Sequence, residues 1–406
     1  MYFCYSQNHT ALTNNIVIRE NSDIHKLFIH NDGRPYVKGT VMINNSVKAD
    51  CFFLLDTCYP KSILVNYRTN RPINDLFVYS ENKNANCLIC DCDFNSFSVE
   101  DWTLEYEWND NFDFSEISDN YIAGIIGTDI LMKESFYISL TKEEFGWAND
   151  FKFDENEKIQ SYKLIEQKQK GLSPIYQIEI EDDSFKSDYT FSQFLSKDGE
   201  KSKYNIDTGS HFIFTSDMKD FYSITGRKKY QNFVFRNYID SIGICLAENA
   251  RLFDKDFKNI QFNGGRFGSG SLKVLGCQIL SAFDLYFIKG KDGIITTLKL
   301  IPVAEEDYCL YRKQYDRKIQ YSIETFGFLT DYSKEGGVVR YKAYVNNEKD
   351  LLPELEIGDM ILLIDKKNFS SKLLQESHGK ITLKIQKRNG KIRELKVRKY
   401  SLGEIK

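Results

Sequence analysis

Two stretches decide the fold: Leu54-Leu55-Asp56-Thr57-Cys58, and Tyr204-Asn205-Ile206-Asp207-Thr208-Gly209-Ser210 near the middle of the chain. Each ends an apolar, strand-like run in an aspartate. One Asp-Thr-Gly marks an ordinary turn far more often than a site. Two copies in matched surroundings carry more weight. Gly127, in Ile125-Ile126-Gly127-Thr128-Asp129-Ile130-Leu131, follows Asp56 by 71 residues, and Gly276, in Val274-Leu275-Gly276-Cys277-Gln278-Ile279-Leu280, follows Asp207 by 69. Phe136-Tyr137-Ile138-Ser139-Leu140 follows the first glycine and Phe283-Asp284-Leu285-Tyr286-Phe287-Ile288 the second, which predicts a short helix and a closing strand in each half.

Outward from these loops the chain reads as strands. Tyr36 to Asn45 alternates apolar and polar residues and turns at Asn44-Asn45 into Val47 to Leu55, a hairpin whose second strand ends at Asp56. The polar stretch from Ala148 to Lys170, with helical spacing at Tyr162, Leu164 and Ile165, precedes a new strand at Ile175 to Ile180. Sequence character changes again near Ile301-Pro302-Val303. These breaks predict three units, 1–150, 151–310 and 311–406, in a mainly β protein with short helices.

Composition narrows the function classes. The chain has 406 residues, 42% of them hydrophobic and 14% aromatic, enough to bury several cores. A formal net charge of -4, with basic residues dispersed except in the C-terminal tail, predicts no nucleic-acid partner. No apolar run is long enough to predict a membrane span. Nine scattered cysteines argue against a disulfide framework and for a reducing compartment. Met1 to His9 lacks a basic region leading into an apolar core, which predicts a cytoplasmic protein, or an exported one if a leader is missing.

With both loops and both glycines in place, the first 310 residues resemble the two-lobed aspartic proteases, the bacterial retropepsin-like and pepsin-like group. The resemblance implies an all-β, two-lobed acid-protease fold in which Asp56 and Asp207 meet on a pseudo-twofold axis, share a proton and activate a water against a peptide bond. It implies loop-stabilising roles for Thr57 and Thr208, whose hydroxyls would bond across the axis. Gly127 and Gly276 would sit where a strand threads behind each loop with no room for a side chain, and Gly209 would be the loop-stabilising glycine at a position of unusual backbone geometry. The first loop departs from the pattern, with Cys58 where the family has glycine, so backbone strain or crowding of the water is expected there. No metal or other cofactor is implied, and one chain suffices for catalysis. A substrate-covering flap is expected at Cys87-Leu88-Ile89-Cys90-Asp91-Cys92 or at Trp102 to Trp108.

Three other features read more plainly. Cys87, Cys90 and Cys92 lack the fourth ligand of a structural zinc site, with His25 and His30 out of pattern, and read as ordinary thiols. His211 reads as a wall residue of the cleft or a local hydrogen-bonding group. Gly264 to Gly270 has no Gly-Lys-Ser/Thr and reads as a loop.

The last unit, roughly Ile319 to Lys399, resembles the PDZ modules linked to bacterial proteases. Thr325-Phe326-Gly327-Phe328-Leu329 is similar to their carboxylate-binding loop, and Leu352 to Asp365 to their helix, Gly-Asp turn and strand. Gly336 to Val339 and the strand Lys380 to Lys387 fit the same small sandwich. The resemblance implies that backbone N–H groups of Phe326, Gly327, Phe328 and Leu329 receive a peptide C-terminus, with the peptide added as a strand. The basic tail from Lys387 to Lys399 reads as a charged edge that discourages sheet aggregation. An active endopeptidase with a peptide-recognition module, a silent relative that only binds peptides, and a structural β protein are the three functions these readings allow.

Overall fold

A computed structural model describes residues 23–30, 33–43, 46–60, 62–65, 87–90, 97–99, 103–105, 121–147, 151–153, 158–169, 172–180, 202–216, 218, 221, 232–265, 272–315, 324–333, 335–345 and 349–402. Strands dominate, as the aromatic and β-branched composition requires. No described helix is long and apolar enough to cross a membrane.

The same strand pairing occurs twice. In the first copy Pro35–Ile43 and Ser46–Leu55 form the expected hairpin, with Tyr36 opposite Leu54. Leu55 lies parallel to Ile126. Ile63–Val65 then runs antiparallel to Tyr121–Ile126 and parallel to Thr103–Glu105. In the second copy Leu172–Ile180 pairs antiparallel with Ser202–Ile206, and Ile206 lies parallel to Leu275. Ile213–Thr215 runs antiparallel to Lys273–Leu275 and parallel to Lys255–Gly265. Each parallel partner ends in its glycine, and each glycine opens a four-residue helix, Thr128–Leu131 or Cys277–Leu280.

The copies join through a sheet to which both contribute. Phe136–Ser139 and Phe283–Lys289 pair antiparallel at its centre, with Phe136 opposite Phe287. Glu144–Trp147 and then Asp23–Lys26 continue it on one side, Ile295–Pro302 and then Gln160–Lys163 on the other. The central pair is held by stacked rings, Phe136 on Phe287 at 4.4 Å and Tyr137 on Tyr286 at 5.5 Å. Such pairs add about 0.5–1.5 kcal/mol beyond their buried area. Apolar residues of both copies, among them Phe53, Leu55, Ile126, Ile206 and Leu275, form one continuous core.

Two expectations are corrected. Gln160–Gln169 is a strand, although Tyr162, Leu164 and Ile165 suit a helix. Leu164 is buried and Tyr162 half-buried while Ser161 and Lys163 are exposed, a period of two that Ile165 obscures in the sequence. The helix expected from Leu352 is a pair of turns, with the Leu355 N–H on the Leu352 carbonyl. Pro353 and the positive φ of Gly358 break helical geometry there.

A helix, Glu305–Tyr315, crosses position 311 and buries Tyr308, Tyr311 and Tyr315 in the core shared by both copies. Spacings of three and four put these rings on one face. Beyond it, residues 324–402 gather a core of their own, including Phe326, Phe328, Val339, Ile361 and Leu383. Phe328–Ser333 pairs with Gly336–Val345, which also meets Met360–Ile364. Met360–Ile364 continues to Lys380–Gln386 and that strand to Ile392–Arg398. Asp359 of the Gly-Asp turn is buried, accepting from the Glu356 N–H and from Lys387 Nζ at 2.8 Å. Gly336–Val345 also joins the second copy directly, pairing with Asn232–Arg236 so that Phe233 opposes Val345.

Candidate active site

The two parallel pairings deliver the two aspartates. The Asp56 N–H donates to the Ile126 carbonyl at 3.0 Å and the Asp207 N–H to the Leu275 carbonyl at 3.1 Å, so each loop leaves its strand at an equivalent point. The next residue of each loop ties it to the other. Thr57 Oγ1 donates to the Ile206 carbonyl at 2.7 Å, and Thr208 Oγ1 donates to the Leu55 carbonyl at 2.6 Å. In return, the Thr57 N–H donates to Thr208 Oγ1 and the Thr208 N–H to Thr57 Oγ1, both at 3.2 Å. Both threonines are fully buried. A single Thr→Val change orphans a buried N–H and a buried carbonyl, and such losses cost about 1–3 kcal/mol each. We expect Thr57→Val and Thr208→Val each to lower the denaturant midpoint, and the double variant to lose less than the sum, because the bonds form one network.

The cross-bonding puts Asp56 against Asp207, which share a side-chain hydrogen bond. Burial raises both carboxyls above the usual range, and Asp207, which also feels the Asp56 charge, rises well above it. Burial of Asp56 is opposed by the Cys58 N–H at 2.8 Å, by the bond from Asp207 and by the positive charge of Arg34. Two buried carboxyls in contact cannot both ionise comfortably, so the pair shares one proton, and its titration belongs to the pair.

The loops are not equivalent after the threonines. A Cβ on Gly209 would stand 2.1 Å from Asp56 Oδ2, so only glycine fits there. Its counterpart Cys58 carries a half-buried side chain, and the strain expected from it is absent, because Cys58 is not among the residues with positive φ. Burial and then the charges of Asp207 and Asp56 push its thiol well above the usual range, which keeps it protonated.

Gly276 leaves no room for a side chain. A Cβ on Gly276 would meet the Phe212 and Ser210 carbonyls at 2.4 and 2.6 Å. The Gly127 N–H donates to Ser62 Oγ at 3.0 Å, and Ser62 Oγ to Asp129 at 2.6 Å. Ser62 and Asp129 escaped the sequence reading, having no counterpart in the repeated pattern. So did Arg34 and Tyr311. Gly33, whose N–H donates to the His30 carbonyl, sits against His211 beside the second loop, and the Tyr311 hydroxyl donates to the Gly33 carbonyl. Asn31-Asp32-Gly33 is a turn signal, but nothing local says what the turn touches.

The four C-terminal loop residues lie together, although one expected donor is engaged. The Gly327 N–H donates to Thr325 Oγ1 at 3.0 Å, and the Gly327 carbonyl accepts from Ala343. Phe326 and Phe328 are buried and Leu329 is exposed. Among the described residues, no three His, Cys, Asp or Glu side chains are placed to hold a metal ion. Cys92 lies outside the described residues, as do the Cys87 and Cys90 side chains, Trp102, residues 106–108 and residues 266–270. No family model matches the chain, and no curated protein matches it.

Proposed function

We propose that this chain is an aspartic-type endopeptidase of two lobes, each contributing one aspartate, followed by a PDZ-like module. The observation that carries the reading is the reciprocal bonding of Thr57 and Thr208, which fixes two buried carboxyls in contact and makes them share a proton. In the first step Asp56 takes a proton from a water, whose oxygen attacks the peptide carbonyl carbon. Asp207 gives its proton to the carbonyl oxygen, producing a tetrahedral diol. In the second step Asp56 returns its proton to the amide nitrogen, the C–N bond breaks, and a diol hydroxyl restores the proton of Asp207. Both carboxyls end as they began, and no covalent enzyme intermediate forms.

The geometry supports one flap over the other. Thr103–Glu105 is paired into the repeated frame, whereas Cys87–Cys90 and Phe97–Val99 form a separate hairpin attached to Thr40–Ile43. The hairpin is the better cover for a substrate. In the C-terminal module, Phe328–Ser333 pairs on one side with Gly336–Val345. Its other edge is where a peptide C-terminus would add as a strand, with Phe326, Phe328 and Leu329 nearest its carboxylate. The test is digestion of an unstructured protein from acid to neutral pH, with and without pepstatin. Pepstatin-sensitive cleavage supports the reading, and intact substrate at every pH refutes it.

A second reading, a silent peptide-binding relative, draws on Cys58, whose thiol stands beside both carboxyls. Cys58→Gly should raise kcat several-fold, equivalent to a barrier lower by on the order of 1 kcal/mol, if the thiol crowds the attacking water. An unchanged kcat shows that the water clears it.

A further inference from the structure

Three of the large apolar side chains most exposed on the described surface converge on one place. Tyr238 and Ile239 are 76% and 82% exposed, and Ile392 is 52% exposed. Tyr238 and Ile239 cap the hairpin formed by Asn232–Arg236 and Ser241–Leu252. Their turn is rigid: Asn237 Oδ1 accepts from the Ile239 and Asp240 N–H groups at 2.7 and 2.6 Å. Ile392 begins the second strand of the hairpin Lys380–Gln386/Ile392–Arg398, opposite Gln386. Arg388, in the turn of that hairpin, lies 5.8 Å from the centre of the Tyr238 ring and brings the two tips side by side. The pairing of Asn232–Arg236 with Gly336–Val345 holds one hairpin in register with the sheet of the other.

Exposed cations outnumber the acids around these side chains, which are Asp240 in the turn of Tyr238 and Glu356, paired with Lys387 at 3.3 Å. Arg388, Lys391 and Arg393 are exposed at the tip. Along the hairpin's outward face Lys380 pairs with Arg398 and Thr382 with Lys396, while Glu394, opposite Lys384, is the only acid of that face. Charge on an edge strand serves to discourage edge-to-edge pairing. It does not account for a tyrosine and two isoleucines held in water at the same end.

We propose that this tip docks on an anionic lipid surface, with Tyr238, Ile239 and Ile392 entering the interface and Arg388, Lys391 and Arg393 meeting the headgroups. Tyrosine suits the interfacial layer, where its ring is buried and its hydroxyl stays wet. Neither the few apolar contacts nor the cations bind strongly alone, and shallow apolar insertion combined with a basic patch is the pairing that does. A nucleic acid would meet the cations but give the isoleucines no apolar medium. An acidic protein would need a matched apolar pocket.

The experiment is co-sedimentation of the full chain with phosphatidylcholine vesicles, with and without phosphatidylserine, at low and high salt. Binding is expected only with phosphatidylserine and should weaken with salt. Tyr238→Ser/Ile239→Ser should abolish it, and Arg388→Gln/Lys391→Gln should weaken it about fivefold for each cation removed. Circular dichroism confirms that these surface variants stay folded. Absence of binding to the anionic vesicles overturns the proposal. So does binding undiminished in Tyr238→Ser/Ile239→Ser, or retention on DNA as tight as on the vesicles, since either marks a contact made by charge alone.

Discussion

Asp207→Asn is expected to lower kcat for peptide hydrolysis by about 10³-fold, and Asp56→Asn by as much, since each removes one partner of the proton exchange. The double variant should fall little further than either single one, because the two carboxyls act as a unit. Asp207→Asn should also reverse the usual sign of a damaging substitution on stability. The Asp207 carboxyl is raised well above the ordinary value, first by burial and then by Asp56. The folded chain therefore binds this proton in a range where the unfolded chain has released it, and stability falls as pH rises toward the folded value. Asparagine carries no such proton and can still donate to Asp56. The variant should therefore be more stable than the parent at neutral pH and gain nothing in strong acid. Urea midpoints at the two pH values check this, and a variant less stable at neutral pH would place the proton elsewhere.

Gly209→Ala should cost about 10²-fold in kcat with the fold retained. The new methyl carbon would stand 2.1 Å from Asp56 Oδ2 and 2.4 Å from its Cγ. One of them must move, and a displacement near 1 Å at a reacting group costs activity on that scale. Cys58→Ala makes the control, because the first loop already accommodates a Cβ. Equal losses in the two variants would mean that loop rigidity, rather than contact with Asp56, sets the rate. Steady-state kinetics with one peptide substrate separates the cases.

Much of this arrangement is legible in the sequence because it is repeated. Asp56 and Asp207, the threonines after them and the glycines downstream recur with nearly equal spacing, so each copy serves as a check on the other. The all-β class follows from alternation such as that of Tyr36 to Ile43. What escapes is whatever happens once. Ser62, Asp129 and Tyr311 act through partners far off in the chain. Arg34 has no equivalent among the described residues of the second copy, and its effect is felt across space by Asp56. Gln160–Gln169 misleads for a related reason: its local spacing suits a helix, whereas its pairing with Ile295–Pro302 and Leu172–Ile180 makes it a strand.

The threonine cross-bonds have a consequence for ancestry. They are unchanged when the two halves exchange places, so two separate copies of one ancestral half would have satisfied every one of them as a symmetric pair. Identical halves could still share one proton between their carboxyls, but they could not place an arginine near one carboxyl without placing one near the other. Two halves in one chain leave each loop free to differ from the other. Cys58 facing Gly209, and Arg34 with no twin among the described residues, are differences that one chain permits and a symmetric pair would not, on a scaffold that remains symmetric beneath them.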